Sequence, residues 1–234
     1  MTKLAPGEFF AQLAPVAIRV RLEGSPMFPS CRLAQNWLET GGVIHPWFNL
    51  GGIKVGSGQP NEWWDGSSVK KGTWEVVNGQ RIDTSAHFRA YPSVYHFYKD
   101  QDVLFQLPRY ERVRRAQTPE EQADMLLACG YATDPQYAVK LKNIIKQYSL
   151  KQYDREVEQV LKDLQEKVAA LEQTVKVLED QNRHIPAPPW FVVEFGDPTA
   201  GGLIRDVDGL KHPAAWEAIA IALRAMGRGR RNDQ

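Results

Sequence analysis

Glu39 is the first residue whose setting suits catalysis. It stands in the last turn of a predicted helix, just before Gly41-Gly42, and the loop that follows is rich in tryptophan. A carboxylate set against apolar aromatics loses hydration and its pKa rises. That is what a general acid working near neutral pH requires. Glu75, beside Trp74 on the first strand of a predicted hairpin, is the second carboxylate. Two carboxyls facing each other across a groove are the equipment of glycoside hydrolysis. One protonates the leaving oxygen, and the other deals with a water, a nucleophile or the developing positive charge. Each has a plainer alternative, a solvent-side glutamate at a helix end or on a strand, and alternation does not say which face Glu75 takes. Trp47, Trp63, Trp64, Trp74, Phe88, Tyr91 and Tyr95 are candidates to stack on sugar rings, with core packing as the alternative. Adjacent Trp63-Trp64, flanked by Asn61 and Asp65-Gly66, predicts at least one ring facing solvent or ligand.

Other chemistries lack their residues. His45, His87, His96, His184 and His212 show no zinc spacing and the two cysteines are far apart, so neither metal nor cofactor is expected. No G-x-S-x-G elbow is present, and Gly56-Ser57-Gly58 lacks the strand, lysine and helix of a phosphate loop. Cys31 and Cys129 fall in helical, apolar stretches that suit structural thiols, and two cysteines exclude a disulfide-dense scaffold. Lys+Arg 29 against Asp+Glu 28 gives a net charge of +1. That disfavours nucleic acid as partner and a polybasic membrane anchor. No apolar run approaches the ~18 residues of a membrane span. The Phe9–Val20 stretch is soon interrupted by Arg19, Arg21 and Glu23, with no small-residue cleavage pattern after it. Synthesis in the cytoplasm with reduced thiols, no signal peptide and no membrane insertion are expected.

The elements that must position the carboxylates fall in the first of three zones, residues 1–150, 151–185 and 186–234, with formal charges of +3, −2 and 0. Zone one opens with a helix over Glu8–Leu22, its apolar residues at helical spacing. Ser30 is the expected N-cap of a second helix, Cys31–Thr40, ended by Gly41-Gly42 at positive φ. Residues 43–68 read as loop and Thr73–Ile82 as a hairpin, because Asn78-Gly79 suits a turn with positive φ at both positions. Further helices are predicted at 92–106, 118–129 and 135–150, the last with Asp134 as N-cap and Pro135 at its first position.

Zone two is a heptad repeat. Val157, Leu164, Leu171, Leu178 and Ile185 form one register, d, and Leu161, Val168, Val175 and Asn182 the other, a. Valine at a with leucine at d favours a parallel two-stranded coiled coil, and a lone Asn182 would fix its register. A homodimer through residues 157–185 is therefore expected, the alternative being one long amphipathic helix packed on its own domain. Zone three starts after Pro186-Ala187-Pro188-Pro189, carries Trp190–Phe195 and a helix from Pro213 through Met226, and is near the lower size limit for folding alone.

Zone one resembles glycoside hydrolase family 73, the peptidoglycan glucosaminidases related to the flagellar muramidase-like domain. The matching stretches are Leu13–Ile18, Ala34–Gly41, Asn49–Lys54, Thr73–Gly79, Phe88–Ser93 and Gly130–Tyr137, in family order over about residues 5–150. The resemblance implies a lysozyme-like α+β domain, mostly helical with a β-hairpin lobe, and it stops near residue 150; the coiled-coil helix and a small C-terminal α/β piece are expected to follow from the pattern of zones two and three. It implies an endo-β-N-acetylglucosaminidase acting on peptidoglycan glycan strands, with Glu39 as general acid, Glu75 as second carboxylate on a mobile hairpin and Tyr131 beside Glu39. It adds Asn49 and Arg89 to the substrate-binding set of Trp47, Trp63, Trp64, Trp74, Phe88 and Tyr91. Three positions depart from the family pattern: Trp37 replaces a small residue, Gly51 a bulky aromatic and Thr40 a serine. Trp37 either narrows the groove or packs beneath it. A wall hydrolase without a signal peptide points to a phage endolysin, and the tail to cell-wall targeting. The alternatives are N-acetylmuramidase specificity and a non-catalytic wall-binding coiled-coil adaptor.

Overall fold

The computed structural model describes residues 3–56, 58–77, 80–181, 186–198, 210 and 212–228, with the backbone alone at 73–77, 80–84 and 180–181. The chain divides into two compact units, Met1–Asp163 and Leu164–Gln234.

In the first unit, α1 (Pro6–Leu22) buries Phe9, Phe10, Leu13, Ala17 and Val20 along one stripe. Helix α2 (Pro29–Thr40) is buried on every side from Pro29 to Asn36, although Arg32, Gln35 and Asn36 are polar. A helix threaded through a core needs partners for such groups. Arg32 donates to the Tyr98 carbonyl at 3.0 Å and to Ser25 Oγ at 2.8 Å, and pairs with Asp102. Gln35 donates to the Tyr137 hydroxyl at 3.0 Å, and Tyr98 donates to Asn36 Oδ1 at 2.6 Å. The helix starts two residues earlier than the Ser30 cap predicts. Phe28 is the N-cap, and Ser30 gives its backbone amide to Asp154 at 2.9 Å and its hydroxyl at 2.5 Å. A carboxylate from a distant segment thus serves the positive end of the helix. Gly41 ends α2 at φ 59° and Gly42 follows at φ 93°, as the Gly-Gly pair requires.

Strands β1 (Ser68–Val77) and β2 (Gln80–Arg89) pair antiparallel from Ser68–Arg89 to Val77–Gln80. The hairpin is longer than the Asn78-Gly79 signal suggested, and that turn lies outside the described residues. The loop before it is tied to its base: Val55 donates to the His87 carbonyl at 2.8 Å and Arg89 to that of Ile53 at 2.9 Å. Helix α3 (Val94–Phe105) is capped by Ser93, whose hydroxyl accepts from the His96 amide. A short 3-10 turn at Pro108–Tyr110 and α4 (Glu111–Arg115) come next, neither of them foreseen, because five residues carry too little periodicity. Helix α5 is Pro119–Ala128 and α6 is Tyr137–Gln147. Asp134-Pro135 forms the turn ahead of α6 rather than its first residues, with Asp134 accepting from the Gln136 amide at 2.9 Å.

Helix α7 (Lys151–Gln181) has 31 residues, and its first turns belong to this unit through Tyr153, Asp154 and the buried Val157. From Leu161 onward the heptad residues are open to solvent: Leu161 44%, Leu164 49%, Val168 52%, Leu171 64%, Val175 52% and Leu178 51%. Asn182 and Ile185 lie outside the described residues.

In the second unit, α8 (Pro189–Phe195) and α9 (Pro213–Ala225) enclose Phe191, Trp216, Ala220 and Leu223. Phe191 and Trp216 meet edge to face at 5.0 Å, and Arg224 pairs with both Glu194 oxygens at 2.6 and 2.5 Å. Trp190–Phe195 is helical, so among the described residues this piece shows helices and no strand where an α/β piece was expected. Among the described residues no helix is long and apolar enough to cross a membrane.

Candidate active site

A cleft of about 790 Å³ opens between the C-terminal end of α2, the Gly51–Lys54 segment with Phe88 of β2, and the 130–134 loop leading to α6. Glu39 reaches into it from the last turn of α2. Gly52 approaches closely: a Cβ there would lie 3.9 Å from Glu39 Oε2, and its φ of 63° favours glycine. The Glu39 carboxyl is open to the cleft but crowded by protein on its other sides, and this loss of hydration holds its pKa above the ordinary carboxylate range.

Tyr131 and Tyr137 line the same cleft. Desolvation pushes both phenols up, seconded by the Glu39 charge at Tyr131 and by Tyr131 and then Glu39 at Tyr137, so both remain protonated. The Tyr131 hydroxyl accepts from Gln101 Nε2 at 3.2 Å, which orients it from below. A smaller cavity of about 220 Å³ shares Glu39, Gly52 and Phe88 and extends to Trp47, Asn49, His45 and Lys71. There the Trp47 ring stacks on His45 at 4.4 Å and carries the Lys71 ammonium at 4.8 Å.

Of the residues singled out from sequence, Glu39, Tyr131, Phe88, Trp47 and Asn49 are thus brought together. Asn49 is also structural: its amide bonds the Ile53 and Arg89 carbonyls at 2.8 and 2.9 Å and its oxygen accepts from the Ile53 amide. Glu75 lies on β1 opposite Ile82, and Trp74 opposite Asp83. The side chains of both fall outside the described residues.

The remaining aromatics and Arg89 serve the framework. Trp64 is 2% exposed, bonds the Ser67 carbonyl through Nε1 at 2.7 Å, and has the Arg89 guanidinium 4.0 Å above its ring. Arg89 pairs with buried Asp100 at 2.8 Å, and the Tyr91 hydroxyl donates to the same carboxylate at 2.6 Å. These three are bound up in a buried network and none lines the cleft. Trp63 lies against Tyr95, His96 and Lys99, in a separate surface depression with Glu23 and Asp102. A flat indole suits a core, a cation or a sugar equally well, so sequence could not separate these roles. Not singled out as site residues were Lys54, Arg109 and Lys140 in the cleft wall. Lys54 carried a signal as the last residue of the Asn49–Lys54 stretch and Lys140 by its closeness to the Gly130–Tyr137 motif, whereas Arg109 carried none.

A family model described as mannosyl-glycoprotein endo-beta-N-acetylglucosaminidase, the Glucosaminidase family, matches residues 17–150. The chain belongs to this family. Among its relatives, the autolysin of Enterococcus faecalis is 32% identical over 163 residues, 64% of this chain and 21% of the relative. A probable N-acetylmuramidase of Lactococcus lactis is 33% identical over 151 residues, 62% of this chain and 33% of the relative. The chain therefore spans about a fifth and a third of their lengths. The catalytic domain of the autolysin Auto from Listeria monocytogenes superposes with a TM-score of 0.55 at 26% identity, over 66% of this chain and 91% of that one.

Family membership bears out the resemblance and the mostly helical, lysozyme-like fold with its two-stranded sheet. Two of the three departures from the glucosaminidase pattern, Gly51 and Trp37, have a structural setting that bears on them. A Cβ at Gly51 would come to 3.1 Å from Phe97 Cζ and 3.2 Å from the Tyr131 hydroxyl, so a bulky residue there would displace both. Trp37 is not part of the cleft lining and packs into the core, its ring 5.3 Å from Phe9, 5.5 Å from Phe10 and 5.5 Å from Tyr148.

Proposed function

We propose that this chain hydrolyses the β-1,4 bond after N-acetylglucosamine in bacterial peptidoglycan, with Glu39 as the general acid. The observation that carries this reading is a carboxyl in the cleft whose proton is retained to a higher pH by its surroundings. Such an acid protonates the leaving glycosidic oxygen as the bond breaks. Tyr131 stands at the same cleft as a donor to the reacting sugar or to the Glu39 carboxylate once its proton has gone. Glu75 is the second carboxylate in this scheme, carried on β1. Two routes then complete the reaction. Either Glu75 positions an inverting water, or the substrate's own acetamido group attacks and configuration is retained. The anomer released first distinguishes them.

The test of the acid is Glu39→Gln in the full chain on purified wall. Release of reducing ends should fall by about 10²–10⁴-fold, the range for a general acid, with wall binding kept. A variant as fast as the unsubstituted protein would end the assignment. An adaptor without catalysis would bind wall and release no reducing ends in either form.

A second specificity has one observation in its favour, the relative named as a probable N-acetylmuramidase. It would leave muramic acid, not glucosamine, at the reducing end. The cellular setting we propose is lytic, of the phage endolysin kind, and an autolysin among the relatives supports a wall-cutting role. Production inside bacteria together with a membrane pore should then lyse them.

Assembly belongs to the same proposal. The half-exposed leucines and valines of α7, in one heptad stripe, fit a second copy of this chain in a parallel coiled coil. That pairing would tether two catalytic units to one stretch of wall, with the C-terminal pieces as wall-targeting elements.

A further inference from the structure

The cleft does not use Trp63, yet the fold holds this indole at the surface with care. Its loop is pinned: the Asn61 side-chain oxygen accepts from the Trp63 and Trp64 amides at 2.8 and 3.0 Å, and Asn61 Nδ2 donates to buried Asp100 at 2.7 Å. Trp64 goes into the core while Trp63 stays half-buried. The loop therefore buries one indole and presents the other. The presented ring lines a depression of about 210 Å³ with Glu23, Lys99, Asp102, Val103 and Gln106. This depression shares no lining residue with the cleft of Glu39. Helix α3 serves both, Leu104 lining the cleft and Lys99, Asp102 and Val103 the depression.

Asp102 points to a ligand. It is 9% exposed, and its bonds from Ser25 Oγ at 2.7 Å and from Arg32 both end on Oδ1. Among the described residues Oδ2 accepts no hydrogen bond, although an ionised carboxylate oxygen has room for two. A carboxylate already fixed by Arg32 and Ser25 is a pre-organised acceptor, and a ligand that meets it pays little to order it.

Charge decides the class of ligand. Glu23 and Asp102 stand against Lys99, and Arg19 and Arg32 pair with the two carboxylates from behind. An anion would meet both carboxylates. A cation would find the Lys99 ammonium in place, 5.1 Å from the Trp63 ring and 3.5 Å from Glu23. A neutral ring bearing hydroxyl and acetamido groups meets neither objection. It lays apolar C–H surface on Trp63 and on Val103, which is 45% exposed, gives a hydroxyl proton to Asp102 Oδ2, and accepts from Lys99 and the exposed Gln106 carboxamide. The volume lies below the ~300 Å³ of the smaller drug-sized pockets, which suits one sugar unit.

We propose that this depression is a second, non-catalytic site that binds one N-acetylated sugar unit of a glycan strand outside the cleft. The proposal rests on the glycan-cleaving reading of the cleft for the kind of sugar, and not for the site itself. Two sites on one unit keep an enzyme on an insoluble polymer between cuts, because the second contact is made at high effective concentration.

The experiment uses the full chain carrying Glu39→Gln, with its seven tryptophan indoles labelled for NMR, titrated with a neutral N-acetylglucosamine tetramer. Trp63→Phe and Trp47→Phe identify the two indole signals that matter. The Trp63 signal should shift and saturate, and the Trp47 signal, from the cavity beside Glu39, should follow its own midpoint. In sedimentation with purified insoluble wall, Trp63→Ala should weaken retention by roughly two- to tenfold, the worth of one aromatic contact. Gln106→Ala should weaken it by up to about fivefold, the worth of one hydrogen bond. The Trp47 midpoint should stay where it was in both variants, which a damaged fold would not allow. A Trp63 signal that the tetramer leaves in place, or retention unchanged by both substitutions, overturns the proposal. So does a Trp63 shift produced by a wall stem peptide and not by the tetramer, which makes the depression a peptide site. A Trp63 shift with no response at Trp47 upholds the second site and counts against the glycan reading of the cleft alone.

Discussion

The first unit and the exposed half of α7 treat water in opposite ways. In the first unit charged groups are inside and paired: Asp100 is 1% exposed and meets Arg89, Tyr91 and Asn61, while Arg32 is fully buried with Asp102. Along α7 beyond Leu161 the reverse holds, with leucines and valines about half exposed on a charged helix. A buried charge survives only where its partners are fixed, so the polar network makes the first unit's geometry specific. Among the described residues the exposed heptad stripe is not covered, and on our proposal a second copy covers it. On our proposal the first unit is complete as a single copy, and α7 is completed by pairing with a second one.

The largest effect that probes this contrast is Asp100→Ala. It strands Arg89 and frees the hairpin base, so unfolding free energy should fall by about 3–5 kcal/mol, read by denaturant titration, with hairpin-dependent activity lost as well. A change under about 1 kcal/mol would show that the network does not hold the hairpin. Next is Asp154→Ala, which removes the carboxylate from the start of α2 and should cost about 2 kcal/mol.

Much of this was legible in the sequence, and the exceptions share a physical cause. Helices α1, α2, α3 and α5 announced themselves by periodicity, caps and Gly-Gly stops, and the heptads by their spacing. The order of the family motifs pointed to Glu39 and Tyr131. What stayed hidden depends on long-range pairing. Trp64 and Tyr91 look like ligand platforms until Arg89 and Asp100 are seen to claim them. The start of α2 is set by Asp154, more than a hundred residues away. Arg109 joins the cleft through a 3-10 turn too short to carry a pattern.

A smaller effect concerns pH. Because the folded state holds the Glu39 carboxyl above its unfolded pKa of about 4.3, the native protein binds the extra proton between the two values. Its stability therefore declines as pH rises through that window. Glu39→Gln removes the decline, so its melting temperature should gain on the unsubstituted protein between pH 4 and pH 7. Equal differences at both ends would mean that Glu39 has an ordinary pKa. Activity of the unsubstituted chain should fall on the alkaline side as Glu39 loses its proton.

The smallest effect on unit stability, and the sharpest on assembly, is Leu164→Lys with Leu171→Lys. Unfolding of the first unit should shift by no more than about 0.5 kcal/mol, while light scattering should report a change from dimer to monomer. An unchanged mass in solution would mean that the stripe serves something other than self-association.

The central claim is that Glu39 drives cleavage after N-acetylglucosamine, and mass spectrometry of fragments released from purified peptidoglycan tests it most directly. Fragments reduced with borohydride should carry glucosaminitol at the former reducing end, from the unsubstituted chain and not from Glu39→Gln. Muramicitol ends, or the same fragments from the Glu39→Gln protein, would contradict it.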